Sequence, residues 1–287
     1  MKQQHADYQV ISYPKMRRLE AVAYRFVQHK PIFHALVEVN VTRARSILRD
    51  QKANTGESLS FTAFLIACLA KAIDEHKAVQ AFRKGRKRLI LFEEVDVYTL
   101  IERDVAGQKQ PITYIIRAAN RKTFLEIHHE IRAAQVQDVE KDLKWLQFFP
   151  ALLFRPFFWA FSLIGRRYPQ LWKQFVGTVG ITAVGMFGKG AAWGIPQALP
   201  TLMVTVGGIG EKPVLVDGHI AMREYLSLTI SFDHDIIDGA PAARFTERLK
   251  ELIESGYGLG DSTVESEQAG AEAASKQKVD ATRNALP

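Results

Sequence analysis

Apolar positions change their period along this chain, and each change marks an element. Between Lys15 and Gln28, Met16, Leu19, Ala23 and Val27 recur at helical spacing and predict an amphipathic helix. Ile32 to Val41 alternates and predicts a strand, and Val41-Thr42-Arg43 then opens a helix reaching about Asp50. Ser58-Leu59-Ser60 offers a cap to a helix through Phe64, Leu65, Cys68, Leu69 and Ala72. That helix is apolar around most of its girth, which predicts burial. Arg83 to Arg88 reads as a basic turn before a strand at Leu89-Ile90-Leu91-Phe92, and Val95–Ile101 and Ile112–Ile116 predict two more strands. Lys122 to Val136 predicts an amphipathic helix with a solvated charged face, on which His128 and His129 fall at the surface. Val214 to Phe232 is the clearest strand signal, with Asp217-Gly218 as a hairpin turn between two apolar runs. Pro241 to Ser255 predicts a helix, with Pro241 in the first turn where its missing N–H costs nothing.

Residues of one parity share a strand face. Leu226, Leu228, Ile230, Phe232 and His234 share a parity, so His234 extends an apolar row into a protected place at the strand's end. A lone histidine in such a row is ordinarily a satisfied core residue. Here Asp233, Asp235 and Asp238 lie close by and a Gly-Ala-Pro helix start follows. Histidine titrates nearest neutrality, so a sheltered one in that setting is a candidate general base.

Composition narrows the choices. With 287 residues, 47% of them hydrophobic and 24% charged, the chain can form one large globular domain or two small ones. Its single cysteine, Cys68, sits in an apolar run, which excludes a disulfide scaffold and a cysteine-based zinc site. No histidine or carboxylate cluster has zinc-protease spacing, so no metal is expected. A net charge of +7 attracts anions, but without zinc-finger spacing or an aromatic-basic RNA motif no nucleic-acid partner is expected. The opening residues lack an apolar signal core, which points to a cytoplasmic protein. There is no Gly-x-Ser-x-Gly elbow, and Gly185 to Gly190 lacks a Walker ending and reads as a tight turn.

One stretch stands apart. Leu143 to Gly177 is rich in Phe, Leu and Trp, carries Lys144, Arg155, Arg166, Arg167 and Lys173, and has no Asp or Glu. Pro150, Arg155 and Pro156 make it a poor membrane span. Residues 148–164 suit a membrane surface or an acyl chain, giving an expectation of peripheral membrane association. A helical hairpin packed on its own domain or on a neighbouring subunit fits equally well.

The run LSLTISFDHDIIDGAPAARFTERLKELIE resembles the end of the catalytic domain in the acyltransferase components of 2-oxo acid dehydrogenase complexes, whose His-x-x-x-Asp-Gly motif is shared with chloramphenicol acetyltransferase. The likeness spans about Ser12 to Ser255. YPKMRRLEAVAYRFVQHKPIFHALVEVNVT resembles the family's opening helix and strand, LSFTAFLIACLAKAI its buried helix, and PITYIIRAANRKTFLEIHHEI its central strand-helix unit. GTVGITAVGMFG resembles the segment bearing its catalytic hydroxyl. The resemblance implies an α/β fold of the chloramphenicol acetyltransferase type, a mixed sheet flanked by helices. It implies a trimeric building block, with active sites at subunit interfaces. It implies acyl transfer between coenzyme A and a thiol, hydroxyl or amine acceptor. His234 would be the base and Thr182 the oxyanion donor. Asp238 would hold the geometry through an ion pair with Arg17, or cap the following helix. A non-catalytic scaffold or membrane-associated interaction protein of the same fold is the alternative, and thioester hydrolysis a third.

Departures from the family matter too. Asp235 stands where the family usually has Arg, and Asn120 where it often has Asp. No lipoyl domain is recognisable, so a lipoyl group is expected only from another protein. The domain plan is then a flexible start at 1–10, a catalytic domain over 11–257 with the insertion 143–177, and a disordered tail over 258–287.

Overall fold

Among the described residues, six strands form one mixed sheet, in the order β1-β8-β7-β6-β4-β5. The computed structural model describes residues 30–105, 108–136, 167–184, 190–198 and 200–260, together with Ser12, Tyr13, Arg18 and Ala21. Strand β1 (Ile32–Asn40) runs antiparallel to β8 (His219–Asp233), and β8 antiparallel to β7 (Leu202–Val216). Strand β6 (Val179–Ala183) lies parallel between β7 and β4 (Val97–Val105), and β5 (Gln108–Ile116) closes the edge antiparallel to β4. A separate hairpin pairs β2 (Phe82–Lys84) with β3 (Arg88–Ile90). The helices bounded within the described residues are α1 (Thr42–Thr55), α2 (Phe61–Glu75), α3 (Phe124–Val136), α4 (Pro169–Val176) and α5 (Gly239–Ser255).

Helix α2 is the core helix its sequence predicts. Ser60 caps it by accepting a hydrogen bond from the Ala63 N–H at 3.2 Å, and ten of its residues, from Ala63 to Ile73, are buried. It packs on α3 and α5, while Leu226, Leu228, Ile230 and Phe232 of β8 bury the sheet face beneath the helices. Phe232 meets Phe245 of α5 edge-on, with centroids 6.0 Å apart. Cys68 lies in this core, and burial pushes its thiol pKa up, out of reach of nucleophilic use.

The differences from expectation have local causes. Helix α1 continues past Asp50 to Thr55, where Gly56 at φ 75° closes it by donating to the Lys52 carbonyl. Strand β4 starts at Val97 because side chains take the preceding N–H groups: Val95 donates to Asn120 Oδ1 and Asp96 to Thr178 Oγ1. Strand β7 begins at Leu202, well ahead of Val214, and its pattern is hidden by Gly207-Gly208. A Cβ on either glycine would lie 2.0 Å from the Ala192 carbonyl oxygen or 1.9 Å from that of Gly190, so the loop at 190–192 demands both. Pro111 is tolerated in β5 because that strand is an edge. The Asp217-Gly218 turn is as expected, with both residues at positive φ. Leu259 is fully buried in the core, so the packed domain runs past residue 257. Of the first expected helix only Arg18 and Ala21 are described, and both are helical.

Candidate active site

His234 follows the last residue of β8. Its N–H donates to the Pro31 carbonyl at 2.8 Å, which fixes it beside the entry to β1. Its ring packs on Phe33 with centroids 4.9 Å apart, and Phe33 stacks on Phe232 at 5.3 Å. His234 therefore extends the row of Phe232, as strand parity predicts. It is not sheltered as expected, because the side chain is 53% exposed. The last cross-strand pair is Ile32 with Asp233, so His234 sits one step beyond the sheet and a single chain leaves it open.

Three carboxylates surround it with different partners. Asp233, buried, pairs with Lys30 at 3.1 Å. Asp235 pairs with Arg83 of β2 at 3.1 Å, so the negative charge placed beside the base has a cation on it. Asp238 Oδ1 stands 3.8 Å from His234 Nδ1, four residues on and too far for a hydrogen bond. Asp238 occupies the N-cap position of α5 without making a side-chain cap bond, so the capping role is not filled. Its expected partner Arg17 lies outside the described residues.

Thr182 sits half-buried on β6 and lines an open cavity of about 220 Å³ with Tyr98, Leu100, Gln197, Met203 and Thr205. Among the described residues, the lining carries no charged side chain. Thr182 is in register with Thr205, and Thr205 with Thr229. His234 is five residues beyond Thr229 and of opposite parity, so the two lie on opposite sheet faces, roughly 19 Å apart at normal strand spacing. One chain brings His234 and Asp238 together and holds Thr182 away from them.

A second histidine site proves structural. His128 is buried, against the surface position expected for it. Its Nδ1 accepts from the Ser60 N–H at 3.1 Å, so Nε2 carries the proton and points it at Glu57, 3.3 Å away. Burial lowers its pKa, the nearby Glu57 only partly opposing. The grouping of Glu57, His128 and His129 thus offers a metal no lone pair from its buried member. Asn120 is also structural: it donates to Asp74 Oδ1 at 2.9 Å and to the Glu93 carbonyl, while accepting from Val95.

Sequence reasoning did not single out Arg83, Lys30, Phe33 or Tyr98 as site residues. Arg83 stood in the basic turn, and nothing local ties it to Asp235, 152 residues later. The expected membrane or acyl-chain segment 148–164 and the turn at 185–189 lie outside the described residues.

The family model of the 2-oxoacid dehydrogenases acyltransferase (catalytic domain) matches residues 5–148 and 174–259. The unmatched interval falls within the aromatic-basic stretch. The lipoamide acyltransferase component of the branched-chain alpha-keto acid dehydrogenase complex of Bacillus subtilis is 26% identical over 227 residues, covering 77% of this chain and 46% of that protein. The dihydrolipoyllysine-residue succinyltransferase component of the mitochondrial 2-oxoglutarate dehydrogenase complex of Saccharomyces cerevisiae is 36% identical over 200 residues, covering 70% and 36%. The chain spans about half the length of the curated relatives it matches, or less. Among solved structures, a probable dihydrolipoamide acetyltransferase from Listeria monocytogenes superposes with a TM-score of 0.65 at 23% identity, over 88% of this chain and 97% of that one. That likeness shows a shared fold, the mixed sheet flanked by helices. The chain belongs to the 2-oxoacid dehydrogenase acyltransferase catalytic-domain family.

Proposed function

We propose that the protein is an acyltransferase that moves an acyl group between coenzyme A and a thiol, with His234 of one copy working opposite Thr182 of another. One observation carries this reading: a family match that includes both residues, on a chain that holds them on opposite faces of its sheet. A cyclic assembly in which each copy meets the next through a heterologous contact can join the two half-sites. A homotrimer is the smallest such arrangement that the resemblance implies. His234 takes the proton from the attacking thiol, and the thiolate adds to the acyl thioester carbon. Thr182 donates its hydroxyl hydrogen to the oxyanion. Collapse expels the other thiolate, which recovers the proton from the imidazolium. The Bacillus subtilis relative is named for lipoamide, and the yeast relative for a dihydrolipoyllysine residue, so a lipoyl thiol supplied by another protein domain is the proposed partner thiol.

Thiol release from acyl-CoAs of several chain lengths, followed with and without dihydrolipoamide, tests this. Acceptor-dependent release abolished by His234→Ala is expected. Acceptor-independent release would indicate a hydrolase. No release from a folded oligomer would leave the scaffold reading standing instead.

A second proposal concerns location. Among the described residues no helix is long and apolar enough to cross a membrane. Helix α4 nevertheless exposes Leu171 and Phe175, with Tyr168 at its N-cap, just after a stretch that has cations and no acids. We propose that this region lets a cytoplasmic protein rest on an anionic membrane surface. Flotation with anionic liposomes, with and without residues 148–164, decides it; equal behaviour of the two forms would overturn it.

A further inference from the structure

The β2–β3 hairpin stands outside the main sheet and carries five cations and no acid over Phe82–Ile90. Arg83 is used: it holds Asp235, the residue after His234. Lys84, Arg86, Lys87 and Arg88 are different. None has an ion-pair or hydrogen-bond partner among the described residues, and the last three are exposed. The cross-strand pairs Arg83 with Leu89 and Lys84 with Arg88 put two cations side by side and two more in the turn. Adjacent like charges repel, so the hairpin stores unsatisfied positive potential. Its tip lies within roughly 10 Å of Arg83 at ordinary strand rise, and Arg83 reaches Asp235, the residue next to His234.

The proton transfer and the oxyanion as drawn use none of these four cations: among the described residues the lining of the Thr182 cavity has no charged side chain, and Asp233 and Asp235 already have cations. Coenzyme A brings phosphate anions of its own, and a cation that served them would act on both acceptors alike in the test below. A patch that borders the base without entering it is placed to meet the body that delivers a substrate. Resting on the proposed function, we infer that the β2–β3 hairpin is the docking surface for an acidic carrier domain, whose lipoyl-lysine arm reaches His234 while the domain's acidic face sits on Lys84, Arg86, Lys87 and Arg88. Charge complementarity selects the occupant. Rim cations of this kind raise the encounter rate and make it salt-dependent more than they tighten the final complex.

The test uses the full-length oligomer with acetyl-CoA as donor and two acceptors: free dihydrolipoamide, and an isolated acidic lipoyl domain in its reduced form. The variant replaces Lys84, Arg86, Lys87 and Arg88 with Gln and leaves Arg83 intact. The expected result is a rise of about tenfold in KM for the domain relative to KM for free dihydrolipoamide at 50 mM salt, within the range of electrostatic steering. That ratio should return to the wild-type value near 0.5 M salt. A ratio that does not move, or a loss shared equally by both acceptors, overturns the inference while leaving the acyltransferase reading intact. If neither acceptor is turned over, that reading fails, and biolayer interferometry of the lipoyl domain still decides the dock. Salt-sensitive binding lost in the variant supports it; no binding, or loss of an RNA oligomer instead, overturns it.

Discussion

Replacing either half of the proposed site should leave a protein that its opposite variant can rescue. His234→Ala removes the base, and a loss of about 10² to 10⁴ in kcat is expected from general-base catalysis. Thr182→Val keeps the shape of a half-buried strand residue and removes the hydroxyl, for an expected loss of about 10² to 10³. The sheet register places the two residues on opposite faces, two strands and five residues apart, beyond any side-chain reach within one chain. In the proposed mechanism each active site therefore draws one residue from each of two copies. In a statistical mixture of the two variants, a site is intact when its histidine comes from the Thr182→Val copy and its threonine from the His234→Ala copy. That combination arises in about a quarter of the contacts of a ring of heterologous interfaces. Subunits unfolded together in urea, refolded at equal ratio and assayed for acceptor-dependent thiol release should regain about a quarter of wild-type activity, from parents at the percent level or below. Native mass spectrometry confirms mixing. Mixed oligomers no more active than their parents would refute the two-copy site, and with it the mechanism.

Three further outcomes follow from the scaffold. Glu75 is held by Arg248 of α5, chiefly through their hydrogen bond, and its pKa falls from 4.5 to about 2. The depressed carboxylate pKa gives stability that is present above about pH 4.5 and lost as pH falls towards 2. Because the pair is partly exposed and screened by solvent, Arg248→Gln should cost only a small loss of stability at pH 7, and urea denaturation should find the difference gone near pH 2. His128 has its pKa lowered by burial, so its neutral form contributes stability above about pH 6.5 that is lost as pH falls below it. His128→Gln should accordingly lose less stability than the wild type between pH 7 and 5 in thermal melts; parallel curves would contradict this. Asn120→Asp puts a carboxylate against Asp74 and removes a donor, with an expected loss of about 1–3 kcal/mol at neutral pH. That loss should shrink when Asp74 is changed to Asn as well.

What could be read from the sequence was what local pattern controls. Helix α2 announced itself because one cap and an apolar girth are properties of neighbouring residues. The β7–β8 turn did so because both its residues need positive φ. His234 was found through strand parity and the carboxylates around it. Features set by distant contacts were not legible. The start of β7 was masked by two glycines whose reason is backbone packed against them, chiefly the 190–192 loop. His128 looked like a surface residue because its partners, Ser60 and Glu57, lie about seventy positions away. The exposure of His234 follows from where the sheet ends, which parity does not report.

The exchange at position 235 shows how those two kinds of information combine. The family resemblance leads one to expect an arginine after the histidine, and read along the chain Asp235 looks like a reversed charge beside the base. In the fold, Asp235 holds Arg83 at 3.1 Å, so a guanidinium from the β2–β3 hairpin meets the side chain next in sequence to the histidine. The pair is partly exposed on both sides and contributes little to stability by itself. Its consequence is positional: it ties a hairpin carrying four further cations to the residue next to the base. An arginine adjacent in sequence fixes one charge at the site, whereas an arginine borrowed from the hairpin fixes the hairpin. Arg83→Gln should therefore raise KM for a carrier-borne acceptor more than for free dihydrolipoamide, although no substituted residue belongs to the cationic tip. An equal effect on the two acceptors in steady-state assays would mean that Arg83 only neutralises Asp235.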